Sequence, residues 1–309
     1  MVPALITTFL WSTSVIAARR SVALLGENQA NLARILVALM VLGFFAHLWG
    51  GGLSGAGFWF FFLSGIIGFG LGDIGIFYAL PRIGSRLTLL MAQCLAAPIA
   101  GFLEWAWLGT TVTPFQLFAV AVILMGIVLA LAPGELAVAH PKRFIAGLLF
   151  GLLAALGQGG GAVLSRKGYS LGAISEGLTG PDLAENLLLG VTTGYQRLLG
   201  GTLVILGFYL LSFVIRAWQS HPQPGAGEVG MSRKAAVVML NAASGPILGI
   251  VCYQWALATT PTALVQPIVA MTPIVVIPMA WWWEGDRPRP RSVLGGLISV
   301  VGVVLLAFG

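Results

Sequence analysis

Charge is what this sequence has least of. Only 8% of its 309 residues are Asp, Glu, Lys or Arg, against about 25% in a soluble globular domain. With 58% hydrophobic residues and a mean hydropathy of +0.96, the chain cannot clothe a water-facing surface, and stretches such as Phe58 to Leu80 and Phe115 to Ala132 carry almost no polar side chain. Its solvent is a bilayer. Cysteine is scarce too: Cys94 and Cys252 both sit in apolar runs, which excludes a disulfide framework and a thiolate metal site. His47, His140 and His221 lie at or beyond the ends of apolar runs, and there is no H-E-x-x-H, paired-aspartate cluster or G-x-S-x-G. No metal, cofactor or enzyme activity is expected. The net charge of +6 and pI near 9.8 would suggest nucleic acid in a soluble chain. Here the basic residues fill short gaps between apolar runs, the mark of membrane orientation, and no nucleic-acid partner is expected.

What is present is a succession of apolar segments about 20 residues long, the length that crosses a bilayer as a helix. Ten spans are predicted: Val2 to Ala18, Asn31 to Trp49, Phe58 to Leu80, Ser85 to Leu108, Phe115 to Ala132, Phe144 to Ser165, Leu187 to Ile215, Ala235 to Ala258, Thr262 to Trp283 and Ser292 to Phe308. The first lacks a basic leading region and is followed by Arg19 and Arg20, so it is read as a retained helix. Alternate gaps collect Arg19, Arg20, Arg82, Arg86, Lys142, Arg143, Arg216, Arg233, Lys234, Arg287, Arg289 and Arg291 on one side, and Arg166 and Lys167 on the other. The first side is predicted to be cytoplasmic, which places both termini outside.

The segments repeat. GTTVTP at Gly109 to Pro114 matches GDRPRP at Gly285 to Pro290, and LMGIVLALA from Leu124 matches VVGVVLLAF from Val300, so that Gly126 falls on Gly302. Gly68 and Gly72 match Gly245 and Gly249, followed by YAL at Tyr78 and WAL at Trp255. Pro98 matches Pro273, Arg34 matches Arg197, and Arg19-Arg20 echo Arg166-Lys167. Two five-helix halves follow, residues 1–133 and 143–309, joined by a linker at 134–142. Five is odd, so the second half enters the membrane from the opposite side. The expected fold is an all-α polytopic membrane protein of ten transmembrane helices in two inverted five-helix repeats, with a substrate site near the midplane between them.

FLWSTS at Phe9 to Ser14, Arg34-Ile35-Leu36, YALPRIGSRLTLLMAQCLAAP from Tyr78, and WALATTPTALVQPIVAMTP from Trp255 followed by GDRPRP resemble the drug/metabolite transporter superfamily, in its EamA-like branch of ten-helix carriers. Two departures stand out: the acidic-basic pair before the fifth helix is Thr110-Thr111 in the first half but Asp286-Arg287 in the second, and GGGLSGAG after the second span is uncharged. The resemblance implies a small-molecule carrier of the cytoplasmic membrane, often an exporter of amino acid-like or drug-like metabolites, working by alternating access. The competing readings are a membrane-embedded enzyme or a channel built on a duplicated bundle. Isolated polar residues, rather than a repeated polar stripe, speak against a pore.

Asp73 is the one acidic residue well inside a predicted span. It reads either as a site for a cationic substrate or a coupling proton, or as half of a structural pair with Arg34, which lies at a similar depth. Arg197 has no acid at matching depth and reads as an anion site or, preferably, a snorkelling interfacial arginine. Glu104 is placed close enough to its span end to reach the headgroups. Trp11, Ser12 and Ser14 of span one, with Gln158, Gly159 and Gly161 of span six, are expected to face the central cavity or to pack helices. Gln93, Asn241, Ser244, Tyr253, Gln254 and Gln266 are further polar positions to be satisfied in the bundle or lining the cavity. GQGGGA from Gly157 fits a loose dinucleotide pattern but follows no strand. Pro98 and Pro273 are hinge candidates. Trp281, Trp282 and Trp283 read as an interfacial anchor. The partners expected are a small-molecule substrate and the lipid bilayer, with proton coupling through Asp73 as one reading and a monomer or homodimer as the assembly.

Overall fold

The computed structural model describes residues 1–131, 141–171, 183–219, 231–284 and 290–308. Within them the chain forms helices and no strand. In order these are α1 (Val2–Leu25), α2 (Glu27–Leu48), α3 (Phe58–Gly65), α4 (Asp73–Leu89), α5 (Ala96–Leu108), α6 (Pro114–Leu131), α7 (Pro141–Ser170), α8 (Leu183–Gln219), α9 (Met231–Ala242), α10 (Leu248–Thr259), α11 (Thr262–Val269), α12 (Thr272–Glu284) and α13 (Pro290–Phe308). Seven helical stretches, some running through a wide turn, are long and apolar enough to cross a membrane, and two shorter apolar helices lie at Pro114–Leu129 and Val293–Leu306. Of the linker 134–142, only its last two residues fall among those described. Most of GDRPRP, including Asp286-Arg287, and the side chains of Trp281 to Trp283 also lie outside them.

Local chemistry sets the boundaries. Gly26 joins α1 to α2 as a single residue at φ 78° and ψ 166°, a region essentially reserved for glycine, at a cost of about 1–3 kcal/mol to other residues. Gly84 (φ 74°) breaks the end of α4, and α6 opens on a capping box in which Thr113 and Gln116 exchange side-chain-to-backbone bonds of 3.0 and 3.1 Å, with Pro114 in the first turn. Two helices widen to a five-residue hydrogen-bond spacing: Ile66–Gly72 between α3 and α4, and Ala243–Ile247 between α9 and α10. Three glycines lie in the first, and Pro246, which has no N–H to give, lies in the second. The segment predicted as one span at Ser85 to Leu108 is instead divided by a wide turn at Leu90–Cys94 and the bend at Leu95.

The molecule is apolar outside and buries many polar side chains among its apolar core. Phe44, Leu149, Leu203 and Leu297 are exposed, whereas Thr7, Ser12, Gln196, Gln254 and Ser299 are buried. This inversion suits a hydrocarbon solvent, where every polar group has to find an internal partner.

Packing follows an exchange. Helix α1 packs on α9, α10 and α12, while α7 packs on α3, α4 and α5. The most extensive interface joins α6 to α13. There a Cβ added at Gly126 would press on Ser299 and the Gly295 carbonyl, and one added at Gly302 would press on Ile123 and the Ala119 carbonyl. Those contacts run antiparallel. Ser299 Oγ donates to the Ile123 carbonyl at 3.0 Å, bridging positions 176 apart.

Candidate functional site

A cavity of about 70 Å³ lies where α1, α2, α4, α7, α8, α10 and the three wide turns meet. That is room for several waters at roughly 10–15 Å³ each. Its lining includes Trp11, Ser14, Gln93, Gln158 and three charged side chains, Arg34, Asp73 and Arg197. All three are buried.

Helix α2 delivers Arg34 to the first residue of α4. Its Nη2 pairs with Asp73 Oδ2, its Nε donates to Asn31 Oδ1 at 3.1 Å, and its guanidinium carbon lies 4.8 Å from the centre of the Phe77 ring. A buried charge persists only when paired and hydrogen-bonded, and this one is both. Phe69, Asp73 and Phe77 are spaced four residues apart, so a single helix face carries the acid between two aromatic rings.

Arg197 is held differently. Its Nη1 donates to Gln254 Oε1 at 3.0 Å, its guanidinium carbon lies 5.3 Å from the Phe69 ring centre and 5.8 Å from that of Tyr253, and its Nε has no partner. The preference for a snorkelling interfacial role is corrected: the residue is 2% exposed and lines the central cavity. Gly68 makes the room, because a Cβ there would stand 2.8 Å from Arg197 Nη2. Gly65 lies so close to the Arg197 carbonyl that any Cβ would overlap it, which brings α3 and α8 into backbone contact.

Around these charges the polar candidates fall into two groups. Trp11, Ser14, Gln93 and Gln158 line the cavity. Behind it, Tyr253 packs its ring 4.9 Å from that of Trp11 and accepts a 2.9 Å bond from Gln266 Nε2, which also reaches the Gln158 carbonyl at 3.4 Å. Gln254 serves Arg197. Ser12 is not part of the lining: its hydroxyl donates to the carbonyls of Thr8 and Thr272 at 2.7 and 3.0 Å and ties α1 to α12. Ser14 bonds Asn241 Oδ1 at 2.8 Å. Gly161 offers its carbonyl to Ser64 at 2.5 Å, and Gly159 abuts Ala96 and Ile99. Pro98 and Pro273 stand in the first turns of α5 and α12, just after breaks at Leu95 and Ala270 to Met271, where a missing N–H leaves no helix bond unmade.

Glu104 also departs from expectation. It is fully buried, accepts a 2.8 Å bond from the backbone N–H of Ala263, and stands 3.7 Å from Arg166 Nε. Arg166 Nη1 in turn donates to the carbonyls of Leu257 and Ala258 at 2.9 and 3.0 Å. Together they clasp α5 and α7 to the corner between α10 and α11. Sequence reasoning missed this because it measured Glu104 against its own span end and had no means of bringing that corner to it. Phe69 and Phe77 were missed as well, although their spacing around Asp73 was a usable signal.

Among known proteins, comparison with curated sequences returns no match. One solved structure, described as "Crystal structure of protein", superposes with a TM-score of 0.71 at 17% identity, covering 100% of this chain and 96% of that one. The likeness is one of fold. The profile of the EamA-like transporter family matches residues 1–132 and 194–308. An apolar-skinned helical bundle with buried charges at its centre is in keeping with that match, and the chain belongs to the EamA-like transporter family of the drug/metabolite transporter superfamily, as a multi-pass membrane protein.

Proposed function

We propose that the protein is a secondary carrier of ten membrane spans, built as two inverted five-helix repeats, that moves a small metabolite across the cytoplasmic membrane by alternating access, in the direction of export. The ten spans are α1, α2, α3 with most of α4, the end of α4 with α5, α6, α7, α8, α9 with α10, α11 with α12, and α13.

The observation that carries this reading is the position of three buried charges in a cavity walled by α1 and α7, the opening helices of the two halves. Equivalent residues make equivalent contacts around it. Ser14 bonds Asn241 as Gly161 bonds Ser64, with 161 standing 147 positions after 14 and 241 standing 177 after 64. Arg34 packs beside Gly245 as Arg197 packs beside Gly68. The wide turns at Ile66–Gly72 and Ala243–Ile247 begin 177 residues apart, and α6 meets its counterpart α13 antiparallel. Such pairing is what an odd number of spans per half requires. In this arrangement the clasp of Glu104 and Arg166 closes one end of the bundle, and it must release when that end opens. Asp73, paired to Arg34 on the cavity wall, is the coupling-proton candidate.

The test is counterflow in proteoliposomes, using a panel of amino acids, organic acids, nucleosides and amphipathic amines preloaded on one side. A carrier gives saturable uptake that is accelerated by trans substrate. Non-saturating flux without trans-acceleration indicates a channel and overturns the proposal.

A further inference from the structure

The charges that line the cavity do not cancel. Arg34 and Asp73 form a pair, and Arg197 adds a second cation on the same wall. Arg197 spends Nη1 on a neutral glutamine and has the Phe69 and Tyr253 rings beside its guanidinium, while its Nε makes no hydrogen bond. Nε and Nη2 form the edge of a guanidinium that accepts a carboxylate through two parallel bonds.

Arg34 and Arg197 are counterparts, and position 250, which lies 177 after 73, is the counterpart of Asp73. It is Ile250, and it lines the cavity. The first half supplies its arginine with a carboxylate from its own chain; the second half does not. The cavity thus holds two cations for one carboxylate, and because an excess buried charge is costly, the missing negative charge belongs to something that enters the cavity. The lining also offers Trp11 and Ile250 to an apolar body, with Phe69 beside the guanidinium, and Gln93 Oε1 is buried without a donor.

We infer that Arg197 is the anion-binding residue of the central site, and that the substrate class is a small organic monocarboxylate with an apolar body and one hydrogen-bond donor for Gln93. This inference rests on the carrier reading and narrows it. The carboxylate takes the Nε and Nη2 edge of Arg197 and restores neutrality in the cavity, while Arg34 stays with Asp73.

Thermal unfolding of the purified protein tests it with lactate and phenyllactate against lactamide and phenyllactamide, in sodium chloride of matched ionic strength, since a ligand bound only by the folded state raises Tm. Each acid is expected to raise Tm saturably, and each amide to need at least ten times the concentration. Arg197→Gln removes the acid's advantage and Arg197→Lys keeps part of it. Ile250→Asp supplies the missing carboxylate from the chain, so it abolishes acid binding without lowering Tm. An acid no better than its amide in the native sequence overturns the inference, as does an undiminished advantage in Arg197→Gln. Acid binding without counterflow would instead remove the carrier reading and leave the anion site standing. Counterflow of a neutral or cationic solute, with no acid binding, would do the reverse.

Discussion

Arg34 of α2 and Asp73 of α4 meet as an ion pair inside the bundle, 39 residues apart in sequence and both buried. Removing one member strands the other. Asp73→Asn is expected to destabilise the fold by about 3–5 kcal/mol, read as a lower Tm, whereas Arg34→Gln with Asp73→Asn recovers most of the loss. If Asp73 carries the coupling proton, the single variant also loses gradient-driven transport while retaining counterflow. Unchanged gradient-driven transport would leave the pair a purely structural role.

The crossing of α3 and α8 depends on Gly65, where a Cβ would overlap the Arg197 carbonyl. Gly65→Ala therefore pushes apart the helices that carry the cavity wall, at a cost of about 1–3 kcal/mol or more, and weakens ligand binding along with stability. Gly207 of α8, the partner helix in this crossing, has open space around it, so Gly207→Ala is the control. It should be neutral or stabilise by about 0.5–1 kcal/mol. Equal effects at the two positions would contradict the packing described.

Gly126 and Gly302 are counterparts in the antiparallel contact between α6 and α13, each facing the other helix's backbone. Gly126→Leu and Gly302→Leu should therefore lower Tm by similar amounts, within about a factor of two in free energy, given the context dependence of such substitutions. A large loss from one and none from the other would argue against a self-complementary interface between equivalent helices.

Much of this was legible in the sequence, because the bilayer imposes a simple code. Apolar runs of fixed length located most of the helices, and the recurrence of Gly68 as Gly245 fell on the wide turns at Ile66–Gly72 and Ala243–Ile247, with Gly72 closing the first and its counterpart Gly249 just beyond the second. Depth along the helices also placed Arg34 near Asp73. What helix depth cannot supply is azimuth. Arg197 has no acid at its depth and reads from the sequence as a snorkelling arginine, yet α8 turns it onto the wall of the central cavity. Glu104 seemed to reach the headgroups because the α10 to α11 corner that covers it is 159 residues away in sequence. Ser12 and Ser14 lie two residues apart, and only the rotation of α1 sends one to the α12 carbonyl and the other to the cavity.

The clasp of Glu104 and Arg166 should be cooperative, since Glu104 holds both the Arg166 guanidinium and the Ala263 N–H. Glu104→Gln keeps an acceptor for Ala263 and is the milder change. Glu104→Ala leaves that N–H without its side-chain partner, at a cost of about 1–3 kcal/mol. Double-mutant cycles with Arg166→Gln measure the coupling, and additive losses would mean that the two residues act independently.

Alternating access is tested most directly by distances at the two ends of the bundle. Spin labels at Trp107→Cys and Thr259→Cys report the clasped end, and labels at Lys142→Cys and Met231→Cys report the other; all four positions are exposed, whereas the native Cys94 and Cys252 are buried. Pulsed electron resonance is then compared with and without Glu104→Ala in reconstituted protein. The account predicts that losing the clasp lengthens the Trp107 to Thr259 distance and shortens the Lys142 to Met231 distance in the same population. A change at the clasped end with the opposite end unmoved would contradict it.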